Sequence, residues 1–178
     1  MLVLEDVLAL AIRARVAFVI VCASRTIATL SQMPEIYIFL QKVLQNCWKW
    51  QTDQSITAHE LYPFVERLFE FEDLVKEDEK RLAALFAVLT ALYYTTSQAY
   101  DAQYRISGTV DNPMLPEDMA EISDDDVING AEYALKASDN PEAEARWQQS
   151  TFLRLLADFK AKGENDLGNP IKLEYFRE

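Results

Sequence analysis

Few residue types in this chain could carry out chemistry, and they are poorly placed for it. His59 is the only histidine in 178 residues, and Glu60 follows it. A metalloprotease helix needs a second histidine four residues further on, and one imidazole cannot complete a usual zinc site. Serine and cysteine nucleophiles also need a histidine base. The interpretation we favour for His59 is a capping turn or a surface position.

Two groups of acidic residues have spacings that invite a metal ion. Glu66, Glu70 and Asp73 would share one face of a helix, as carboxylates do in helical di-iron proteins. Those proteins also use a Glu-x-x-His pair from two helices, which this chain lacks. Residues 124–126 are three consecutive aspartates without the alternating spacing and the glycine of a calcium loop. We therefore predict no metal, no cofactor and no catalytic residue.

Trp48 and Trp50 leave one alternative open. Their rings could form a ligand pocket together with Glu66 and Glu70, as in a helical ligand-binding protein or an enzyme. Aromatic residues at helix ends more often serve packing. A fully packed interior with both carboxylates in solvent would exclude this alternative.

The chain is strongly acidic, and this restricts its partners. It has 17 basic and 29 acidic residues, a net charge of −12. Nucleic acid requires clustered lysine and arginine, so its direct binding is disfavoured, while a basic protein partner would be attracted. No lysine or arginine occurs between residues 106 and 135. We predict a partner-binding surface in this region, formed by Asp111, Glu117, Asp118, Glu121, Asp124 and Asp125.

The composition predicts an all-α protein. Half of the residues are apolar, which excludes global disorder, and only four glycines and six prolines interrupt the chain. That number is too small for the many turns of a β-sandwich or barrel. We predict a single domain over 1–178, with about six helices around a central apolar helix at about 80–104. The predicted domain also includes an acidic segment at 106–126 and a short C-terminal tail at 164–178.

Apolar spacing places the helices of the first third of the chain. We expect one long amphipathic helix over residues 4–30, with Arg13, Arg15 and Arg25 outside its buried stripe. Pro34 suits the first turn of a second helix that ends near residue 51, because its missing N–H would be unpaired there anyway.

Capping signals place the next elements. Thr57 and Glu60 have the spacing of a capping box, and Pro63 follows closely, so we expect a short turn before a helix over residues 64–75. The helix at residues 82–100 should form the centre of the core. Ser123 can cap a helix that starts at the aspartates.

The last long helix has signals at both ends. Asn140 is the expected cap, Pro141 the first residue, and Gly163 the stop after Lys160 and Lys162. Its buried stripe should be Phe152, Leu155, Leu156 and Phe159, with Trp147 and Leu153 at the edges. The apolar patch in the tail is expected to dock back onto the protein.

Two apolar runs were tested as membrane elements. Residues 16–24 are too short and follow an acidic leader, which disfavours a secretion signal. Residues 82–100 carry no charge, but their last third is polar, so a buried helix is favoured over a membrane span. Cys22 and Cys47 lie in apolar segments and are expected to be buried, reduced thiols. We expect a cytoplasmic protein.

The completed pattern resembles a known group of proteins. Three stretches carry the resemblance, namely VAFVIVCASRTIATL, NCWKW and NPEAEARWQQSTFLRLLADF. They are similar to the all-helical immunity proteins of bacterial polymorphic-toxin systems, and to the YjaG-like family of helical proteins. In the last stretch the matching residues are Asn140, Pro141, Glu144, Trp147, Arg154, Leu155, Leu156 and Ala157. The resemblance implies a toxin as partner and no catalysis.

Three hypotheses for the function follow. The leading hypothesis is an immunity protein that binds a cognate bacterial toxin through its acidic surface, with the toxin presenting a basic face. The alternatives are the ligand-binding protein or enzyme described above, and a structural helical module that self-associates through an exposed edge of the 82–100 helix. The oligomeric state is left open.

Overall fold

A computed structural model describes residues 3–107, Met119, 122–163 and 165–177. Six of its helices have thirteen residues or more, which confirms the all-α prediction. Within the described ranges the only extended pairing is a single bridge between Leu10 and Lys160. The elements in chain order are α1 (Leu4–Leu8), α2 (Ile12–Thr26), α3 (Pro34–Asp53), α4 (Ala58–Leu61), α5 (Pro63–Val75), α6 (Glu79–Ser107), α7 (Asp125–Ala137) and α8 (Pro141–Asp158), with 3-10 turns at Ile27–Leu30 and Leu173–Phe176.

The central helix of the bundle is α6, as predicted. It packs against α2, α3, α4, α5 and α7, and none of residues 82–100 is exposed. It is long and apolar enough to cross a membrane, but 72% of its most apolar window is buried inside the protein, as in a core helix. The same burial contradicts the exposed edge that self-association through this helix would need.

The helices α2 and α7 lie unusually close together at Gly130. A Cβ atom at this position would come within 2.5 Å of the Cγ2 atom of Val19 and 3.4 Å of Thr90. Glycine therefore lets α7 approach both α2 and α6, and the tight contact fixes the position of α7 against the core.

The prediction of one helix over residues 4–30 was wrong, because the chain breaks between α1 and α2. Ala11 is extended there; its N–H donates to the carbonyl of Phe159 (3.0 Å), and the N–H of Ala161 donates to Ala9 (2.8 Å). The first N–H groups of α2 donate to the carbonyls of Asp166 and Leu167. Partners from the C-terminal tail thus replace the cap that the sequence around residue 11 lacks.

The expected positions of two arginines were also wrong. Arg13 and Arg15 were predicted outside the buried stripe, yet only 7% and 4% of their surfaces are exposed. The tail covers the start of α2, and α1 and α7 lie beside it, so this end of the helix has no solvent face. Burial lowers the pKa of Arg13, and the charge of Asp53 opposes that shift. Arg25 is half-exposed, as expected.

Local capping in the middle of the chain follows the prediction. The Thr57 hydroxyl accepts from the backbone N–H of Glu60 (3.3 Å), whose carboxylate accepts from the N–H of Thr57 (2.8 Å). The N-cap residue of α7 is Asp124 and not Ser123, however, and its side chain makes no cap hydrogen bond. Instead the Asp126 carboxylate accepts from the backbone N–H of Ser123 at 2.9 Å.

The last helix begins as predicted and ends early. Asn140 Oδ1 accepts from the N–H of Ala143 (3.0 Å). The helix stops at Asp158, five residues before Gly163, because the following residues pair with residues 9–11 instead. The expected docking of the tail is confirmed, since Ile171 is buried and the Phe176 ring lies 5.9 Å from that of Trp48. The single-domain boundaries stay a prediction.

Candidate functional site

The residues considered for a catalytic or ligand site do not come together. Trp50 is buried and Trp48 packs on the tail, while Glu66 and Glu70 are both exposed. Glu70 is ion-paired with Arg67 on the protein surface. The condition for the alternative pocket is therefore not met. Among the described residues no cluster of three metal-ligating side chains occurs.

His59 and the two cysteines are occupied in packing. The imidazole Nδ1 of His59 lies 3.2 Å from the Tyr100 hydroxyl, and the two rings meet edge to face. Cys22 and Cys47 are free, buried thiols, as predicted. Burial raises the pKa of Cys47 to about 12 and that of Cys22 well above its ordinary value. Both sulfurs are therefore protonated at neutral pH and unsuited to nucleophilic attack.

The structure describes two of the six residues of the predicted acidic surface. The other four, Asp111, Glu117, Asp118 and Glu121, lie outside the described residues. Asp125 is exposed at the first turn of α7, whereas the Asp124 side chain is only 25% exposed and turns inward. The use of this surface for binding stays a prediction, and Asp124 has a structural role besides.

Asp124 belongs to a buried polar network with Arg15 and Tyr94. Arg15 donates from Nη1 to Asp124 Oδ1 at 2.9 Å, and the Tyr94 hydroxyl donates to the same oxygen. The remaining Arg15 donors reach the carbonyls of Leu10 (2.9 Å) and Leu8 (3.0 Å). Burial, followed by the charge of Asp124, raises the pKa of Tyr94. The network ties α1, α2 and α6 to the start of α7.

An open groove lies between α7 and α8. It has a volume of about 490 Å³, and we call it the α7–α8 groove. Its walls present apolar side chains at helical spacing, and charged or polar residues stand at its edges. The apolar members are Ile128, Ala131, Leu135, Ala145, Phe152, Leu153 and Leu156, and the polar ones are Asp6, Glu132, Lys136, Gln148 and Gln149.

The α7–α8 groove is rigidly supported at one end. Gln148 Nε2 donates to the carbonyl of Ala131 (3.0 Å) and to Glu144 (3.2 Å). Glu144 is buried and ion-paired with Arg25 at 2.9 Å, and the Arg25 guanidinium lies 3.9 Å from the centre of the Trp147 ring. These contacts hold the first half of α8 against α7 and α2.

Sequence reasoning did not find the α7–α8 groove. A usable signal was present, because α7 has a second apolar row at 128, 131 and 135 beside its buried row at 127, 130, 134 and 137. Two apolar rows on one helix indicate two packing faces, and the bundle buries the second only in part, since Ala131 is buried while Ile128 and Leu135 stay partly exposed. Leu153 was expected at the edge of its stripe, and it is 57% exposed.

Comparison with known proteins agrees with the resemblance to immunity proteins. The family model of Immunity protein Imm6 matches residues 14–137, from the first turn of α2 to the last residue of α7. This range includes two of the three stretches that carry the resemblance, whereas the third, at residues 140–159, lies outside it and stays a prediction. No curated protein and no solved structure matches the chain significantly. The similarity to the YjaG-like family stays a prediction. Because the match covers more than half of the sequence, the chain belongs to the Immunity protein Imm6 family.

Proposed function

We propose that this immunity protein neutralises its cognate toxin by binding it directly and does no chemistry of its own. The match to the Immunity protein Imm6 family carries the proposal. The packing of His59 and the protonated state of the buried thiols support the proposal that the protein catalyses no reaction. A tight protein complex needs only a complementary surface with a few well-packed anchors.

The toxin is proposed to present a basic face. The net charge of −12 creates a negative field that attracts a basic partner and speeds its encounter. Asp125 of the predicted acidic surface is exposed at the start of α7, and Glu5, Asp6 and Glu132 are exposed elsewhere on α1 and α7, which pack against each other. These carboxylates extend the negative charge along α1 and α7.

We also propose that the protein acts in the cytoplasm. Both cysteines are unpaired thiols, the state that a reducing compartment maintains. Fractionation of cells that express the full chain, followed by immunoblotting, tests this proposal; recovery in another compartment would contradict it.

A titration distinguishes binding from catalytic reversal of the damage. The candidate toxin for this test is the product of the gene beside that of this chain; increasing amounts of the immunity protein are added to a fixed amount of it, and its toxic activity is measured. Direct binding predicts a linear loss of activity that ends at a fixed stoichiometric ratio, with a complex that co-elutes in size-exclusion chromatography. Complete protection by far less than one equivalent, without a complex, would show catalysis and contradict the proposal.

The acidic surface is tested by a charge-neutralised variant. The triple substitution Glu117→Gln, Asp118→Asn and Glu121→Gln is expected to slow association with the toxin by at least about tenfold at low salt. The predicted surface requires these charges to be exposed, and exposed charges act mainly on encounter, so the dissociation rate should change little. The difference should shrink at physiological salt, where screening acts within about 8 Å. Stopped-flow kinetics at several salt concentrations measures both rates.

The matched control removes three exposed acidic charges elsewhere. Glu66, Asp73 and Glu77 are exposed on α5 and the turn after it, so Glu66→Gln, Asp73→Asn and Glu77→Gln produce the same change in net charge. If both triple variants slow association equally, only the overall charge matters. If neither changes the rate, the acidity serves solubility alone and the predicted surface is wrong.

A further inference from the structure

The α7–α8 groove is an apolar surface that no described part of the chain covers. Leu153 is 57% exposed at its edge, although burial of leucine is strongly favoured. The polar groups inside it are already satisfied, since Gln148 donates to Ala131 and Glu144. The free surface is thus ready to accept apolar side chains without new hydrogen bonds.

The charges at the edge of the α7–α8 groove select the kind of occupant. Its titratable side chains are Asp6, Glu132 and Lys136. The two carboxylates outnumber the one ammonium group, so the edge has a net negative charge; the Lys136 amino group lies 5.3 Å from the Tyr133 ring centre. The exposed carboxylates Glu5 and Asp125 add to the negative side on α1 and α7. A second copy of the chain would bring another negative rim and a charge of −12 against this one.

We infer that the α7–α8 groove is the docking site for a basic amphipathic segment of the toxin. Apolar side chains of the segment enter between the helices, and its lysines or arginines meet Asp6 and Glu132. This inference rests on the proposed function, but it can fail while that function stands. In this inference α7 and α8 make the main anchoring contacts with the toxin, and the acidic surface provides the long-range attraction.

The first test introduces a cation at the groove and at a matched site. Leu153→Arg is expected to weaken binding of the purified toxin encoded by the neighbouring gene by at least about 100-fold. Leu74→Arg on α5, where the leucine is 63% exposed, is expected to change it by less than about threefold. Both positions are in solvent, so circular dichroism and Tm should stay near wild type. Ala145→Trp, at an exposed lining position, should block the groove by bulk instead of charge.

The outcomes separate the two proposals. If the wild type binds the toxin and Leu153→Arg and Ala145→Trp bind as well as Leu74→Arg, the groove inference is overturned and the proposed function stands. If the wild type does not bind the toxin at all, the proposed function itself fails. If light scattering shows a dimer that Leu153→Arg converts to a monomer, the groove is a self-association surface and the inference is wrong.

A photo-cross-linker at Gln149 identifies the chemistry of the occupant. Gln149 is an exposed groove residue, and a benzoylphenylalanine there should cross-link to a toxin peptide with net positive charge and apolar residues at helical spacing. A cross-linked peptide that is acidic or lacks apolar residues would overturn the inference. The same cross-linker at Leu74 is the control and should give no product with the toxin.

Discussion

Replacing Arg15 by methionine is expected to destabilise the protein by about 3 kcal/mol, the low end of the range for breaking a buried ion pair. The side chain is 5% exposed, and its loss leaves the Asp124 carboxylate without its cation. The carbonyls of Leu8 and Leu10 lose a donor at the same time. Because Asp124 is 25% exposed, water relieves part of the cost. Urea unfolding followed by circular dichroism measures the change.

Two comparisons test the cause of this loss. Arg67→Met breaks surface ion pairs with Glu35 and Glu70 and should cost less than about 0.5 kcal/mol. In a double-mutant cycle of Arg15→Met with Asp124→Asn, the coupling energy should reach about 2 kcal/mol. A cost for Arg15→Met no greater than that for Arg67→Met would show that the buried network contributes little.

Alkaline pH should weaken the fold steeply, with Cys47 as a main cause. Burial raises the pKa of its thiol from 9.0 to about 12. At pH 10 to 11 the folded state keeps the proton that the unfolded state releases, so raising the pH favours unfolding. The loss begins near pH 9 and is complete near pH 12. A pKa difference of about three corresponds to about 4 kcal/mol.

Cys47→Ala separates this effect from packing. The substitution removes a buried side chain and costs stability at neutral pH, but it also removes the titrating group. Between pH 10 and 11 the unfolding free energy of the wild type should fall more steeply than that of the variant, by about 1 kcal/mol per pH unit. Denaturant unfolding at each pH, with reductant present, measures both slopes. Parallel slopes would rule out a role for the Cys47 proton.

Cys22 and Tyr94 should add to the alkaline loss for the same reason. Burial is the largest cause of the raised pKa of each. In Tyr94 the neighbouring Asp124 carboxylate acts in the same direction, since a second negative charge on the shared hydrogen bond is unfavourable. Loss of the Tyr94 proton would therefore also open the network that holds the start of α7.

Much of the fold could be read from the sequence, because it depends on interactions between near neighbours. The capping box of Thr57 and Glu60 and the cap at Asn140 each join residues three apart, so their spacing alone predicts them. The uncharged run at 82–100 predicts the core helix, since only burial accommodates so much apolar surface. The resemblance to immunity proteins depended on the same helical patterns.

The tertiary structure alone decided where the chain breaks, which arginines are buried and where a partner could dock. Arg15 meets an aspartate 109 positions away, and the break before Ile12 depends on carbonyls of Phe159 and Asp166. Helical periodicity predicts that charged side chains such as Arg15 face solvent. It contains no information about hydrogen-bond partners that are distant in the sequence and allow such a side chain to be buried. The α7–α8 groove also depends on contacts between residues far apart in the sequence. Gly130 fixes the position of α7 against α2, and the hydrogen bond from Gln148 to Ala131 fixes that of α8 against α7. With the helices in these positions, their facing apolar residues do not fully cover each other.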